Sequence, residues 1–352
     1  IMRCVKYGKR EAARRTQALT APPERKGYEG MRAMKIFDMH CDTLLEMYLK
    51  KKDLAELDGH INLEKLRSGG ALLQCFAAFL PTHDCAAEYG LKETPYELFC
   101  AMADIFDAQM ERYKDVMAPV RCYDDIARNA QSGKISALLT VEDTVLLDGR
   151  IERLDEMYAR GVRMSALTWN YENSLGYPNS PEPARHEKGL KPFGLEAVER
   201  MNELGMIVDV SHLSEGGFWD VAQHSRRPFA ASHSCARALC GHSRNLTDRQ
   251  LRALADCGGV CGVNFYSAFL TGSGKYTANA DIVRHMQYIK DKAGIGTVAL
   301  GSDFDGIDCT LEMRDYAGFP MLIDAMSDVF TDDEIDLICS KNALRVFKDA
   351  VG

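Results

Sequence analysis

The chain has 352 residues, of which 46% are hydrophobic and 27% are charged, a composition typical of a globular protein with a large core. Its formal net charge of -8 leaves no basic stripe, which argues against nucleic acid as a partner. No apolar run is long enough to cross a bilayer, so no membrane contact is expected. The 12 cysteines are scattered without a Cys-x-x-Cys pair, and we therefore expect reduced thiols and a cytoplasmic location.

Residues 1–33 are predicted to form an N-terminal extension that is not part of the fold. The stretch is basic, contains Pro22-Pro23 and lacks the apolar segment of a secretory signal. A basic arm that helps subunits to associate is the functional alternative. The remaining residues, 34–352, are expected to form one domain.

The first predicted strand runs into the segment Ile36-Phe37-Asp38-Met39-His40-Cys41-Asp42. Because successive side chains of a strand point to opposite faces, Asp38, His40 and Asp42 are expected to share one face. An imidazole and a carboxylate on one rigid edge can bind a divalent metal such as zinc. A hydrogen-bonded histidine beside a capping aspartate is the purely structural alternative.

Apolar runs alternate with amphipathic stretches from residue 34 onwards, which is the pattern of repeated βα units. Eight units favour an α/β fold of the (β/α)8 TIM-barrel type over an open sheet, since no glycine-rich phosphate loop follows the first strand. The predicted strands are 35–40, 72–79, 135–141, 163–167, 206–210, 228–231, 259–263 and 298–301. The clearest predicted helices are 95–113, 151–160, 194–204, 214–223, 247–256 and 280–292, with extra C-terminal helices at 321–329 and 332–347.

Histidines and carboxylates follow five of these predicted strands. The carboxyl ends of barrel strands meet at one rim, where the active sites of such barrels lie. One such residue alone would more often be a core histidine or a helix cap, but six on one rim indicate a metal site. They are His40 and Asp42 after strand one, Glu142 after strand three, His212 after strand five, His233 after strand six and Asp303 after strand eight.

Two metal ions fit this set better than one. Three histidines and two or three carboxylates exceed the four ligands of a tetrahedral zinc ion. A bridging carboxylate can instead hold two ions roughly 3.5–4 Å apart. Glu142 is the natural bridge, since one of its oxygens can bind each ion.

Several motifs between residues 35 and 347 together resemble the membrane (renal) dipeptidases and their bacterial relatives, which are zinc peptidases with amidohydrolase-like barrels. The motifs are Asp38-Met39-His40-Cys41-Asp42-Thr43, Asp209-Val210-Ser211-His212, Ala231-Ser232-His233-Ser234, Arg244-Asn245, Val263-Asn264-Phe265-Tyr266, Gly301-Ser302-Asp303-Phe304-Asp305-Gly306 and Asn342-Ala343-Leu344-Arg345-Val346-Phe347. The resemblance implies a metal-dependent hydrolase barrel with two Zn²⁺ ions. It places His40 and Asp42 on one ion, His212 and His233 on the other, and Glu142 between them.

The resemblance also implies roles in catalysis and substrate binding. A hydroxide that bridges two zinc ions is a strong nucleophile at neutral pH, and Asp303 is expected to handle its proton. Because its partners on the rim are cations, the pKa of Asp303 is expected to be low enough for the carboxylate to be ionised in the resting enzyme. Arg244 is expected to grip the substrate carboxylate, because its planar fork binds both oxygens. Without the neighbouring motifs, a solvated loop arginine would be the first interpretation of this residue.

One departure concerns the substrate. The mammalian members of the family carry a substrate-binding histidine after strand four, where this chain has Trp169, whose only polar donor is its indole N–H. We expect Trp169 and Tyr266 beside the substrate, with His186 and His242 as candidate replacements for the missing imidazole.

The sequence thus predicts a zinc-dependent dipeptidase for small dipeptides with a free C-terminal carboxylate. Another amidohydrolase-type reaction on a cyclic amide, lactone or N-acyl amino acid is the alternative within enzymes. A metal-binding protein without turnover is the alternative outside them. The sequence leaves open whether the chain forms a homodimer.

Overall fold

The computed structural model of the protein describes residues 34–352, and the predicted N-terminal extension, residues 1–33, lies outside this range. The strands are β1 (Ile36–Asp38), β2 (Ala71–Phe79), β3 (Met117–Pro119), β4 (Ile135–Glu142), β5 (Met164–Ala166), β6 (Ile207–Asp209), β7 (Ala230–Ser234), β8 (Val260–Val263), β9 (Tyr276–Thr277), β10 (Val298–Leu300) and β11 (Thr310–Leu311). The first helices are α1 (Thr43–Lys50), α2 (Leu63–Ser68), α3 (His83–Glu88), α4 (Pro95–Arg112), α5 (Tyr123–Gln131), α6 (Glu152–Ala159), α7 (Pro183–His186) and α8 (Pro192–Leu204). The others are α9 (Glu215–His224), α10 (Asp248–Asp256), α11 (Ser267–Leu270), α12 (Asn279–Ala293), α13 (Phe319–Ser327), α14 (Asp332–Asp336) and α15 (Asn342–Val351).

Eight parallel strands close into a barrel. The order around it is β2-β1-β10-β8-β7-β6-β5-β4, and β4 pairs back onto β2 over seven residue pairs, from Leu73↔Ser136 to Phe79↔Glu142. Helices follow most of the strands along the chain. The predicted (β/α)8 barrel is therefore confirmed.

Each of the eight predicted strands overlaps one barrel strand. Three short strands were not predicted: β3 pairs with the start of β4, and β9 and β11 form a separate two-stranded sheet. They have two or three residues each, and no longer apolar run in the sequence marks them. The predicted C-terminal helix 332–347 is divided into α14, a π-helical turn over Leu337–Lys341, and α15.

The last helix closes one end of the barrel. Apolar residues from all eight strands, among them Phe37 and Ile207, form one buried cluster with Val346 and Phe347 of α15. Arg227, which precedes β7, donates a hydrogen bond to the carbonyl of Ala350 in α15. Since α15 contacts segments that enter the strands, it covers the amino-terminal end, and a ligand must reach the barrel from the carboxyl-terminal end.

Two glycines allow close packing around β7. A Cβ atom at Gly262 or Gly301 would lie 2.1 or 1.8 Å from the carbonyl oxygen of Ser232. Any larger residue would push this part of β7 away, because real Cβ atoms do not approach backbone so closely. Glycine at both positions therefore keeps Ser232 and the residue after it in place.

Among residues 34–352, no helix combines the length and the apolar character needed to cross a bilayer.

Candidate metal centre

The structure brings the six predicted side chains together at the open end of the barrel. They come from the ends of five strands: His40 and Asp42 follow β1, Glu142 ends β4, His212 follows β6, His233 lies in β7, and Asp303 follows β10. Their ligand atoms form three groups, each with all atoms within 4.8 Å of one another. The groups are His40, Asp42 and Glu142; Glu142, His212 and His233; and His40, His233 and Asp303.

Glu142 lies between two of these groups and faces each with a different oxygen. Its Oε1 is 2.8 Å from Nε2 of His212 and 3.5 Å from Nε2 of His233. Its Oε2 is 3.5 Å from Nε2 of His40, which is in turn 3.7 Å from Oδ2 of Asp42. This arrangement presents one carboxylate oxygen to each half of the centre.

The two histidines beside Oε1 of Glu142 each have a polar contact at their second ring nitrogen, Nδ1. Nδ1 of His212 is 3.1 Å from the amide oxygen of Asn170, and Nδ1 of His233 is 2.7 Å from Oγ of Ser232. Since an amide oxygen only accepts, His212 carries its proton on Nδ1 and a lone pair on Nε2. The two Nε2 atoms are only 3.0 Å apart, and both face the Glu142 carboxylate. Electron pairs that converge in this way fit a bound cation.

The other half of the centre contains buried atoms that lack hydrogen-bond partners. Neither Nε2 of His40 nor Oδ1 of Asp42 finds a partner among residues 34–352. Both side chains are nearly inaccessible to solvent, at 2% and 6% exposure. Buried polar atoms without partners are costly, and a metal ion would satisfy both. The donor set of imidazole nitrogen and carboxylate oxygen suits zinc and similar transition metals.

The electrostatics of these side chains also favour a cation. Burial raises the pKa of Glu142 to about 8, and the nearby Asp42 carboxylate adds to this increase. Burial lowers the pKa of His40, but the charges of Glu142 and Asp42 outweigh it and hold that pKa well above its usual value. Buried carboxylates thus lie close to one another, and a bound cation would offset their mutual repulsion.

Asp303 lies at the edge of the centre. Its Oδ2 accepts a hydrogen bond of 2.8 Å from Nδ2 of Asn264, and its Oδ1 is 3.8 Å from Nε2 of His40. Burial raises the pKa of Asp303 to about 6, although the charge of His40 opposes the increase. A pKa of about 6 still leaves the carboxylate ionised at neutral pH, as expected from the sequence. Burial nevertheless places this pKa above the usual value of an aspartate, because it outweighs the charges of His40 and Arg244.

Arg244 is a buried residue and not a solvated loop arginine. Its side chain donates hydrogen bonds to the carbonyl of His233 at 3.0 Å and to Oγ of Ser234 at 3.3 Å. Its Nε–H has no partner within the described part of the chain. A guanidinium group has five N–H donors, so several remain for a ligand.

A cleft opens above the six side chains. Its lining includes Asp42, Glu142, His212 and Asp303 together with Trp169 and Tyr266, which the sequence analysis placed beside the substrate. The Trp169 ring packs against Phe79 at 4.8 Å and lies 6.2 Å from the His212 ring, measured between centroids. Both aromatic residues are thus positioned as walls of the cleft.

The two candidate replacement histidines lie outside this lining and contact other residues. His186 accepts hydrogen bonds from the backbone of Ser180 and from Arg237, which occupies both of its ring nitrogens. Nδ1 of His242 accepts from the backbone N–H of Arg244. Both line a neighbouring cleft instead. Neither therefore supplies an imidazole to the cleft above the centre, where the mammalian members carry a histidine and this chain has Trp169.

Sequence reasoning missed the side chains that hold the centre in place. Asn170 and Asn264 bond directly to His212 and Asp303, and Ser232 bonds to His233. Ser232 lies immediately before His233, Asn170 immediately after Trp169, and Asn264 within a quoted motif, and these positions were the only signal available.

Known proteins with similar sequences point to one family. A sequence model of the family described as membrane dipeptidase (peptidase family M19) matches residues 26–351. An uncharacterized dipeptidase of Schizosaccharomyces pombe is 33% identical over 332 residues, which cover 89% of this chain and 80% of that protein. An uncharacterized protein from the pqqA 5' region of Klebsiella pneumoniae is 40% identical over 235 residues, or 64% of this chain and 86% of its own.

Solved structures agree with these sequences. The dipeptidase AC, a metallopeptidase of family M19, superposes with a TM-score of 0.81 at 25% identity, over 91% of this chain and 100% of its own. A metallopeptidase from Rhodobacter sphaeroides, liganded with a phosphinate mimic of the dipeptide L-Ala-D-Ala, gives a TM-score of 0.80 at 25% identity, over 90% and 99% of the two chains. The chain therefore belongs to the membrane dipeptidase family, peptidase family M19, and is a metal-dependent hydrolase of that family.

Proposed function

We propose that the chain is a zinc-dependent dipeptidase that hydrolyses dipeptides with a free C-terminal carboxylate. The observation that carries this proposal is the position of Glu142, whose two oxygens face two separate groups of ligand atoms. The dipeptide mimic bound by the Rhodobacter sphaeroides relative supports the substrate class. A cytoplasmic location and a homodimer stay predictions.

The residues present would hold two zinc ions. His40 and Asp42 would bind one, His212 and His233 the other, and Glu142 would be shared. Two zinc ions supply positive charge that polarises the scissile carbonyl and acidifies water, so that a nucleophile forms at neutral pH.

Asp303 is proposed as the group that moves the proton. It lies in the cleft with one oxygen fixed by Asn264 and the other directed towards the centre. An ionised carboxylate in this position can take a proton from the attacking water and deliver it to the leaving amine. Asn264 would hold the carboxylate at a constant angle during both steps.

Arg244 is proposed to bind the carboxylate of the substrate. Two of its donors already fix the side chain to β7, through the carbonyl of His233 and Oγ of Ser234. A guanidinium group held in this way is preorganised for a planar carboxylate and keeps unused donors for it. Trp169 and Tyr266 would form the apolar walls that exclude water from the bound dipeptide.

A metal analysis tests the bridge. Because Glu142 would contact both ions, we expect Glu142→Gln to lower the zinc content at both positions, whereas His212→Ala should mainly empty one. Zinc bound per chain is measured by mass spectrometry of protein that has been dialysed against a weak chelator. Two full equivalents in the Glu142 variant would show that Glu142 is not shared.

A substrate panel tests the reaction itself. Dipeptides with L- or D-residues at the second position are assayed beside an N-acyl amino acid and a lactone, with and without added zinc. We expect turnover of dipeptides only. Preference for the acyl amino acid or lactone would replace the dipeptidase proposal by the alternative hydrolase reaction.

A further inference from the structure

We propose that Asp209 is a positioning residue that acts through Ser232 to fix the proton of His233 on Nδ1. This arrangement leaves the Nε2 lone pair of His233 free to face the centre. The proposal rests on the metal centre proposed above, because the free lone pair matters as a metal ligand.

Asp209 ends β6 and is buried, with an exposed fraction of 2%. Its Oδ1 accepts backbone hydrogen bonds from Ser211 and Ser232, both at 2.9 Å. Its Oδ2 accepts a hydrogen bond of 2.5 Å from the hydroxyl of Ser232. One carboxylate thus holds the chain segments before His212 and around His233 together.

The position of the His233 proton follows from counting donors. A carboxylate can only accept, so the single hydroxyl proton of Ser232 is used in its bond to Asp209. Oγ of Ser232 then has only lone pairs for its other neighbours, of which Nδ1 of His233 at 2.7 Å is the nearest. Nδ1 must therefore donate. A carboxylate that orients a metal-binding histidine is a common device, and here a serine hydroxyl lies between the two.

The fold contains a second aspartate–serine pair that differs in one respect. Asp38 of β1 accepts the backbone N–H of Ser302 at 2.8 Å and its hydroxyl at 2.6 Å. Ser302 precedes Asp303 as Ser232 precedes His233. Within residues 34–352, however, the hydroxyl of Ser302 bonds to no ring nitrogen, and its further neighbours are the carbonyl of His40 and the N–H of Phe304. Asp38 thus holds Ser302 in the same way without a link to the His233 ring, and it provides a matched control.

Asp209→Asn should reverse the direction of this chain of hydrogen bonds. The amide keeps the size of the carboxylate and an oxygen for the backbone donors, but its NH₂ group would donate to Ser232. The serine proton would then turn towards Nδ1 of His233, which at 2.7 Å is a nearer acceptor than Oγ of Ser211 at 3.2 Å. Nδ1 would accept, and Nε2 would carry the proton of the ring. A protonated Nε2 cannot bind a metal ion, so the zinc affinity should fall by about 10–100-fold, as is usual for loss of such a partner.

The experiment is nitrogen NMR of the metal-free full chain with ¹⁵N-labelled histidine, in which the two tautomers give distinct shifts. His233 is assigned from the spectrum of His233→Asn. We expect an Nδ1–H tautomer in the wild type, an Nε2–H tautomer in Asp209→Asn, and the wild-type form in Asp38→Asn. The His212 signal should keep its Nδ1–H form throughout, since Asn170 and not Ser232 accepts its proton.

Ser232→Ala is a second variant with a smaller change in shape. It removes the acceptor of Nδ1–H, and we expect the Nδ1–H population of His233 and the zinc affinity to fall together. If Asp209→Asn does not fold, this variant decides. An unchanged His233 tautomer with wild-type zinc affinity in the folded variants would overturn the proposal. Because the tautomer is measured without metal or substrate, this result is independent of whether the enzyme cleaves dipeptides.

Discussion

Replacing Asp303 by asparagine is expected to lower kcat for a dipeptide by about 10²–10⁴-fold, the usual contribution of a positioned acid–base group. The amide keeps the shape of the side chain and an oxygen that can accept from Asn264, but it cannot carry a proton. Asp303 lies at the edge of the centre, with its Oδ1 3.8 Å from Nε2 of His40, and it is not among the five proposed zinc ligands. The zinc content should therefore change little. Turnover and zinc content are measured on one preparation.

The matched control is Asp305→Asn in the same loop. The Asp305 carboxylate also lines the cleft, but its two oxygens already accept hydrogen bonds from the hydroxyl of Thr43 at 2.7 Å and from the backbone N–H of His60 at 2.6 Å. We expect its kcat to remain within a few-fold of the wild type. Full recovery of Asp303→Asn by excess zinc would instead make Asp303 a metal ligand and remove it from proton transfer.

The barrel and the composition of its rim could be predicted because both depend on local pattern. Short apolar runs such as 135–141 and 259–263 end where polar residues begin, and in a parallel barrel all such ends meet on one side. His40, Glu142 and His233 needed no long-range information beyond that rule. The short strand β3 left no comparable pattern and was missed.

The side chains that support the centre could not be predicted, since their roles depend on contacts between distant strands. In the sequence Asp209 lies within the predicted strand 206–210, and only the pairing of β6 with β7 brings it to Ser232. Likewise, the burial of Arg244 depends on its contacts with His233 and Ser234 and not on its own polar loop. The pKa of Asp303 depends on how much solvent the whole rim excludes, which no short motif encodes.

Replacing Arg244 by alanine is expected to lower kcat/KM for free dipeptides by roughly 10–100-fold, which corresponds to about 1.5–3 kcal/mol for a lost hydrogen bond to a charged group. The physical reason is the loss of a fixed, planar donor for the substrate carboxylate. Arg244→Lys should recover only part of this loss, because an ammonium group cannot reproduce the fork of a guanidinium group. Each variant is assayed on a dipeptide and on the corresponding dipeptide amide.

The amide separates substrate binding from support of the centre. Arg244 also donates to the carbonyl of His233, so its removal could disturb a candidate metal ligand as well as the substrate. Such a disturbance would affect the dipeptide and its amide alike and would lower the zinc content. Loss of a carboxylate contact would instead affect the dipeptide far more, since the amide carries no negative charge for Arg244 to bind. Equal losses on both substrates would therefore remove Arg244 from substrate recognition and leave it a support for β7.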